Sequence, residues 1–176
     1  MAEQDKYIRQ YLTFQQDQDV FAIDIRQIKE VLEIRPITTI PRSDDFMRGV
    51  INLRGQVVPV IDLKLKFGFA KTEFSVDTCI IILELSIGGE SCLFGVLADS
   101  VREVIDLEEE CIAPPPKIGS NVDTIFIYGI GKCAEEFVVI LDAFKLCSEE
   151  ELDAINNVMV SELVAEQALN ESTSTS

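Results

Sequence analysis

Val20-Phe21-Ala22-Ile23-Asp24-Ile25-Arg26-Gln27-Ile28-Lys29-Glu30-Val31-Leu32-Glu33-Ile34 lies over Leu93-Phe94-Gly95-Val96-Leu97-Ala98-Asp99-Ser100-Val101-Arg102-Glu103-Val104-Ile105-Asp106-Leu107 without a gap, at an offset of 73 residues. Phe21 and Phe94, Glu30 and Glu103, and Val31 and Val104 are identical, while Ile28 with Val101, Lys29 with Arg102 and Glu33 with Asp106 keep their chemistry. A second echo follows, because Gly49 and Asp62 are spaced as Gly129 and Asp142 are, each Asp preceded by a β-rich run and followed by a short amphipathic stretch. Two equivalent units of about 70 residues are implied. Two are too few for a solenoid, so two small packed barrels are expected.

Working outward, the aromatic run 7–14 and the run 20–25 flank polar residues and read as a hairpin. Ile28, Val31 and Leu32 recur at helical spacing and predict a short helix closed by Pro36. Strands are expected over 50–53 and 56–61 around an Arg54-Gly55 turn, with Pro59 marking an edge or bulged position. Further strands are expected over 78–85 and 92–97 around Gly88-Gly89, then near 124–130 and 137–140 after the Pro114-Pro115-Pro116 connector. Ser148 and Glu151 form a capping box, and Leu152, Ile155, Met159 and Leu163 carry a helical stripe, predicting a C-terminal helix over 148–168 and a disordered tail over 169–176.

Composition prunes the function classes. Fifteen basic against 31 acidic side chains give a formal charge of -16, which repels phosphate backbones and argues against nucleic-acid binding. Five scattered cysteines with no CxxC pair and no histidine point to free thiols in a reducing compartment and away from zinc. The missing histidine also removes Ser-His and Cys-His nucleophile pairs and a phosphoryl-carrying imidazole, and no P-loop, GxGxxG or GxSxG occurs. The chain is therefore expected to be no enzyme and to need no cofactor or metal. Its polar start and the lack of an 18-residue apolar run predict a cytoplasmic protein without direct membrane insertion.

The segment Gly49-Val50-Ile51-Asn52-Leu53-Arg54-Gly55-Gln56-Val57-Val58-Pro59-Val60-Ile61-Asp62-Leu63 resembles the hallmark stretch of CheW-domain proteins, the coupling proteins of bacterial chemotaxis. The resemblance extends upstream through Asp24-Ile25 to Glu30 and downstream through Phe94 to Val101, covering about residues 7–147. It implies a mostly β fold of two five-stranded SH3-like barrels with short helices. The first subdomain is expected over about 16–80 and the second over 81–147, with the N-terminal strand open to being shared between them. It further implies a scaffold bridging methyl-accepting chemoreceptor cytoplasmic tips and the regulatory domain of the histidine kinase CheA. Ring assembly through like-barrel contacts and a place at membrane-associated receptor arrays go with that role. A coupling protein of another chemosensory system, governing type IV pilus motility or polar positioning, is the alternative within the family. An unrelated SH3-like peptide-binding module is the alternative outside it, set against the absence of Trp and the presence of only three Tyr.

By the same resemblance, receptor contact maps to a groove between the barrels, at Ile28, Glu30, Gly49, Arg54, Cys79, Gly95 and Val101. Ile28 and Val101 are repeat-equivalent and read either as a pair receiving an apolar helical stripe or as ordinary core. Arg54 reads either as a contact to a partner carboxylate or as a brace within the groove. Gly49 and Gly95 serve the backbone, and Cys79 stands where an aliphatic residue is usual. No kinase-facing residue is distinguishable from core.

Overall fold

The computed structural model describes residues 8–41, 44–115 and 124–147; the expected helix over 148–168 and the tail beyond it lie outside them. Strands β1 (Ile8–Gln16), β2 (Asp19–Asp24), β3 (Ile28–Glu33), β4 (Met47–Leu53), β5 (Gln56–Ile61), β6 (Cys79–Ile87), β7 (Glu90–Ala98), β8 (Ser100–Glu108), β9 (Ile112–Ala113), β10 (Ile127–Cys133) and β11 (Glu136–Leu141) dominate it. One-turn helices α1 (Leu63–Lys66) and α2 (Ala143–Leu146) follow Asp62 and Asp142, whose carboxylates accept the Lys64 and Phe144 amides as N-caps.

The strands form a five-stranded sheet in the order β3-β6-β7-β5-β4 and a six-stranded sheet in the order β8-β1-β2-β11-β10-β9. Without the two-residue β9 the orders superpose, β3 on β8, β6 on β1, β7 on β2, β5 on β11 and β4 on β10. The pairings repeat too. Parallel β5–β7 sets Val60 against Gly95, and parallel β11–β2 sets Ile140 against Ala22. The register shifts in β4 before Gly49 and in β10 before Gly129. The internal duplication is thus written in the hydrogen bonding. Each half of the chain sends its first hairpin into the other sheet, so sheet membership alternates along the sequence and residue 80 falls inside β6.

Neither sheet is closed by hydrogen bonds, but both curl. Gly131 on β10 sits so near Leu107 on β8 that an added Cβ would come within 2.7 Å of its Cδ1. In the five-stranded sheet, Leu32 of β3 packs in the same cluster as Ile51 and Leu53 of β4. The fold is SH3-like in this curled sense, with the last ladder replaced by side chains.

Residues 28–33, expected as helix, are strand β3, preceded by a 3-10 turn over Ile25–Gln27 capped by Asp24. From Glu30 on, half-buried Glu30 and Leu32 alternate with exposed Val31 and Glu33, which is strand alternation. A register shift between Ile28 and Glu30 puts Ile28 opposite Leu83 and Val31 opposite Ile81, so both share a face. That bulge produced the helix-like spacing. Pro59 also departs from expectation. β5 is interior, yet its pairing with β7 covers only Val60 and Ile61, so the missing amide donor of Pro59 leaves no gap on that side.

Among the described residues three apolar clusters hold the fold. One lies within the curl of each sheet: Val58, Val60, Ile80, Ile82 and Leu97 in one, Tyr11, Ile105, Leu107, Val138 and Ile140 in the other. The third lies between the sheets and joins Phe14, Phe21, Ile61, Leu63, Phe67, Ile81, Leu83, Phe94, Val96 and Leu146. Phe14, Phe21 and Phe67 run through it at ring separations of 6.1 and 5.6 Å. At about 25 cal/mol per Å² of buried apolar area, this shared layer fixes one sheet against the other.

Candidate functional site

The β4–β5 turn carries Arg54 at φ 52° and Gly55 at φ 84°, both left-handed, as a two-residue hairpin turn requires. The Asn52 side-chain oxygen accepts the Gly55 amide at 2.8 Å and stiffens the turn. From there the Arg54 guanidinium reaches β3 at the opposite edge of the sheet, donating from Nη1 to Glu30 Oε2 at 2.9 Å and from Nη2 to Oε1 at 3.0 Å. The fork draws the Glu30 carboxyl below the ordinary glutamate range, first through these hydrogen bonds and then through the neighbouring positive charges. Arg54 is therefore a brace. Its side chain remains 69% exposed, so other donors of the guanidinium stay open to a partner.

Ile28 and Val101 lie at the margin of the apolar layer between the sheets, Ile28 opposite Leu83 and Val101 opposite Phe14. The Cys79 thiol donates to the Asp77 carbonyl at 3.3 Å, and burial, the largest effect, pushes its pKa up against the opposing influence of the nearby Val101 amide. Cys79 and Val101 thus meet at the seam, with Ile28 at the margin of the same layer and the Glu30–Arg54 brace on the same sheet as Ile28. Gly49 and Gly95 are apart from it in kind. Gly49, at φ 142°, backs onto Thr38, whose carbonyl oxygen an added Cβ would meet at 2.1 Å. Gly95 is buried within its sheet, where a Cβ would meet Ile80 Cγ2 at 2.7 Å.

Two residues that sequence reasoning passed over extend the site. Val31 faces the same way as Ile81, and Val104 the same way as Leu12, both partners being members of the layer between the sheets. Yet Val31 is 40% and Val104 44% exposed. They continue Ile28 and Val101 along the two equivalent edge strands. Their identity in the repeat was the available signal, because an apolar residue kept in both halves and left in water calls for an explanation other than core.

A charged latch sets the two sheets against each other beside the seam. Lys64 of α1, 7% exposed, holds Asp17 of the β1–β2 turn at 2.8 Å and Asp99 of the β7–β8 crossover at 2.7 Å. Asp99 also accepts the Asp17 amide at 2.7 Å and donates its own amide to the Gln15 carbonyl at 3.0 Å. Burial lowers the Lys64 pKa, but the two carboxylates outweigh it and the net shift is upward. Asp99 stands two residues before Val101, so the latch fixes where the seam begins.

The family model of the CheW-like domain matches residues 10–151. The chain belongs to the CheW family. Chemotaxis protein CheW of Klebsiella aerogenes is 31% identical over 150 residues, covering 85% of this chain and 88% of that protein. The CheW of Treponema pallidum is 25% identical over 149 residues, covering 85% and 88%. The crystal structure of the scaffolding protein TtCheW from Thermoanaerobacter tengcongensis superposes with a TM-score of 0.73 at 35% identity, covering 84% of this chain and 93% of that one. CheW proteins are coupling scaffolds of chemotaxis.

Proposed function

We propose that the chain couples methyl-accepting chemoreceptors to the chemotaxis histidine kinase as a cytoplasmic, non-catalytic scaffold at receptor arrays. The observation that carries this reading is the pair of repeat-equivalent edge strands, β3 and β8, each leaving an apolar residue exposed beside the layer between the sheets. Val31 and Val104, with Ile28 and Val101 behind them, offer an apolar track to one side of a receptor helix. Arg54 and Glu30 stand on the other face of β3, where the exposed Arg54 offers charge that sets orientation. Among the described residues no helix is long and apolar enough to cross a membrane, and the formal charge of -16 opposes binding to anionic surfaces.

The scaffold works by linkage. It influences the kinase only to the extent that it binds the kinase's active and inactive states with different affinity, and the receptor biases the same equilibrium. Contacts between like barrels extend such pairs into rings. Calorimetric titration with a receptor signalling-tip fragment tests the receptor half. Saturable binding that is weakened by Val31→Asp supports the reading, and no heat or affinity for the tip fragment contradicts it.

A further inference from the structure

A cavity of about 940 Å³ opens between the 34–41 segment, β4, α1 and the 71–74 loop. Its apolar wall includes Ile37, Ile40, Leu65 and Phe74, and Phe74 is 46% exposed. Three cations line it. Arg48 is committed to Asp62 and the Thr72 carbonyl, each at 3.1 Å, and lies 4.6 Å over the Phe74 ring. Arg35 and Lys71 make no ion pair among the described residues, and Asp44 and Asp45 stand on the same rim. An occupant needs an apolar stripe and carboxylates that reach the two cations past those acids.

The sequence contains such a segment. Nine of the fifteen Lys and Arg residues lie within residues 26–71, whereas the last 29 residues hold seven Asp and Glu and no Lys or Arg. Glu149, Glu150 and Glu151 precede Leu152, Ile155 and Met159 at helical spacing. The route is short as well. The described chain ends at Cys147, buried in the layer between the sheets, after α2, which packs on the Thr124–Phe126 turn. The Phe126 ring lies 5.6 Å from that of Phe67, and Phe67 closes α1, whose Leu65 lines the cavity. Twenty helical residues span about 30 Å, more than a small domain's half-width.

We propose that residues 148–168 dock back into this cavity, setting Leu152 and Ile155 on the Ile37, Ile40 and Phe74 wall and the Glu149–Glu151 carboxylates toward Arg35 and Lys71. Tethering makes the contact intramolecular and gives it a high effective concentration even where its intrinsic affinity is modest.

Hydrogen exchange on the full chain tests this. The triple variant Leu152→Asp, Ile155→Asp, Met159→Asp is expected to speed exchange of the amides of residues 37–40 about tenfold while those of β7 keep their protection. Lys71→Glu is expected to do the same, and adding Glu150→Lys to it to restore protection. Unchanged exchange at residues 37–40 in the triple variant overturns the proposal. So does protection that grows with protein concentration, since a second copy would then be the occupant.

Discussion

Arg54 on the β4–β5 turn grips Glu30 on β3 through two hydrogen bonds of 2.9 and 3.0 Å, joining opposite edges of one curled sheet. The other sheet carries a different ion pair. There Arg102 on β8 meets Glu136 at the start of β11, with Nη1 at 3.0 Å from each carboxylate oxygen. The two pairs use different repeat positions, since Arg102 aligns with Lys29 and it is Glu103 that aligns with Glu30. Only in the five-stranded sheet does the basic end project from a turn, and there it stays largely in solvent.

Arg54→Lys separates brace from contact. A lysine keeps the charge but loses the planar fork, so receptor binding is expected to fall about tenfold while the melting temperature stays near that of the parent. Thermal unfolding and titration on the same preparation check this. Glu30 is held below its ordinary pKa in the folded state, so its share of the brace is complete above the normal glutamate value of 4.5. It is lost as pH falls below that through the folded-state pKa. Binding measured at neutral pH and at pH 4.5 should therefore differ little on account of this pair.

Lys64→Met tests the latch. It keeps the buried stem, removes the ammonium and leaves Asp17 and Asp99 facing each other, at an expected cost of about 1–2 kcal/mol in urea unfolding, because Asp17 is largely solvated. The native latch raises the Lys64 pKa, so its stabilisation is full below the unfolded value of 10.5 and disappears as pH rises through the folded one. Alkaline titration of stability should show a falling limb in the parent that the variant lacks.

The repeat-related Asp62 and Asp142 are expected to behave unequally. Both cap a one-turn helix, but Asp62 is fully buried and also accepts Thr72 N at 2.9 Å, Thr72 Oγ1 at 2.7 Å and Arg48 Nη1 at 3.1 Å. Asp62→Ala strands those donors and should cost about 2–4 kcal/mol. Asp142→Ala, losing its cap to Phe144, should cost about 1 kcal/mol.

Gly49→Ala and Gly95→Ala divide by what the new methyl meets. At Gly49 it strikes the Thr38 backbone in a left-handed conformation, for about 3 kcal/mol or more, whereas at Gly95 it strikes Cγ2 of the fully buried, β-branched Ile80, for about 2–3 kcal/mol. Any binding defect of Gly49→Ala should accordingly track its loss of fold by circular dichroism.

The duplicated sheets and the short strands were legible because hydrophobic runs and turn residues encode them locally. Pairing partners were not. That β2 joins β11 and β7 joins β5 depends on long-range parallel contacts, for which the repeat shows likeness but no partner. Residues 28–33 misled because a bulge shifts the side-chain period away from two. The candidate site was legible in part. Ile28, Glu30, Arg54, Cys79 and Val101 stood out by resemblance, but the Arg54–Glu30 fork spans 24 residues and required the curl of the sheet. Val31 and Val104 were visible as identities whose exposure no single sequence reveals.

The seam flanked by β3 and β8 is proposed to join receptor to kinase. Its most direct test is co-sedimentation of receptor signalling fragments, kinase and this chain, comparing the parent with Val101→Asp and Arg54→Glu. A ternary complex formed by the parent and weakened at least about tenfold in both variants, each still folded, is the predicted result. Undiminished assembly in both variants, or no assembly by the parent, would contradict the account.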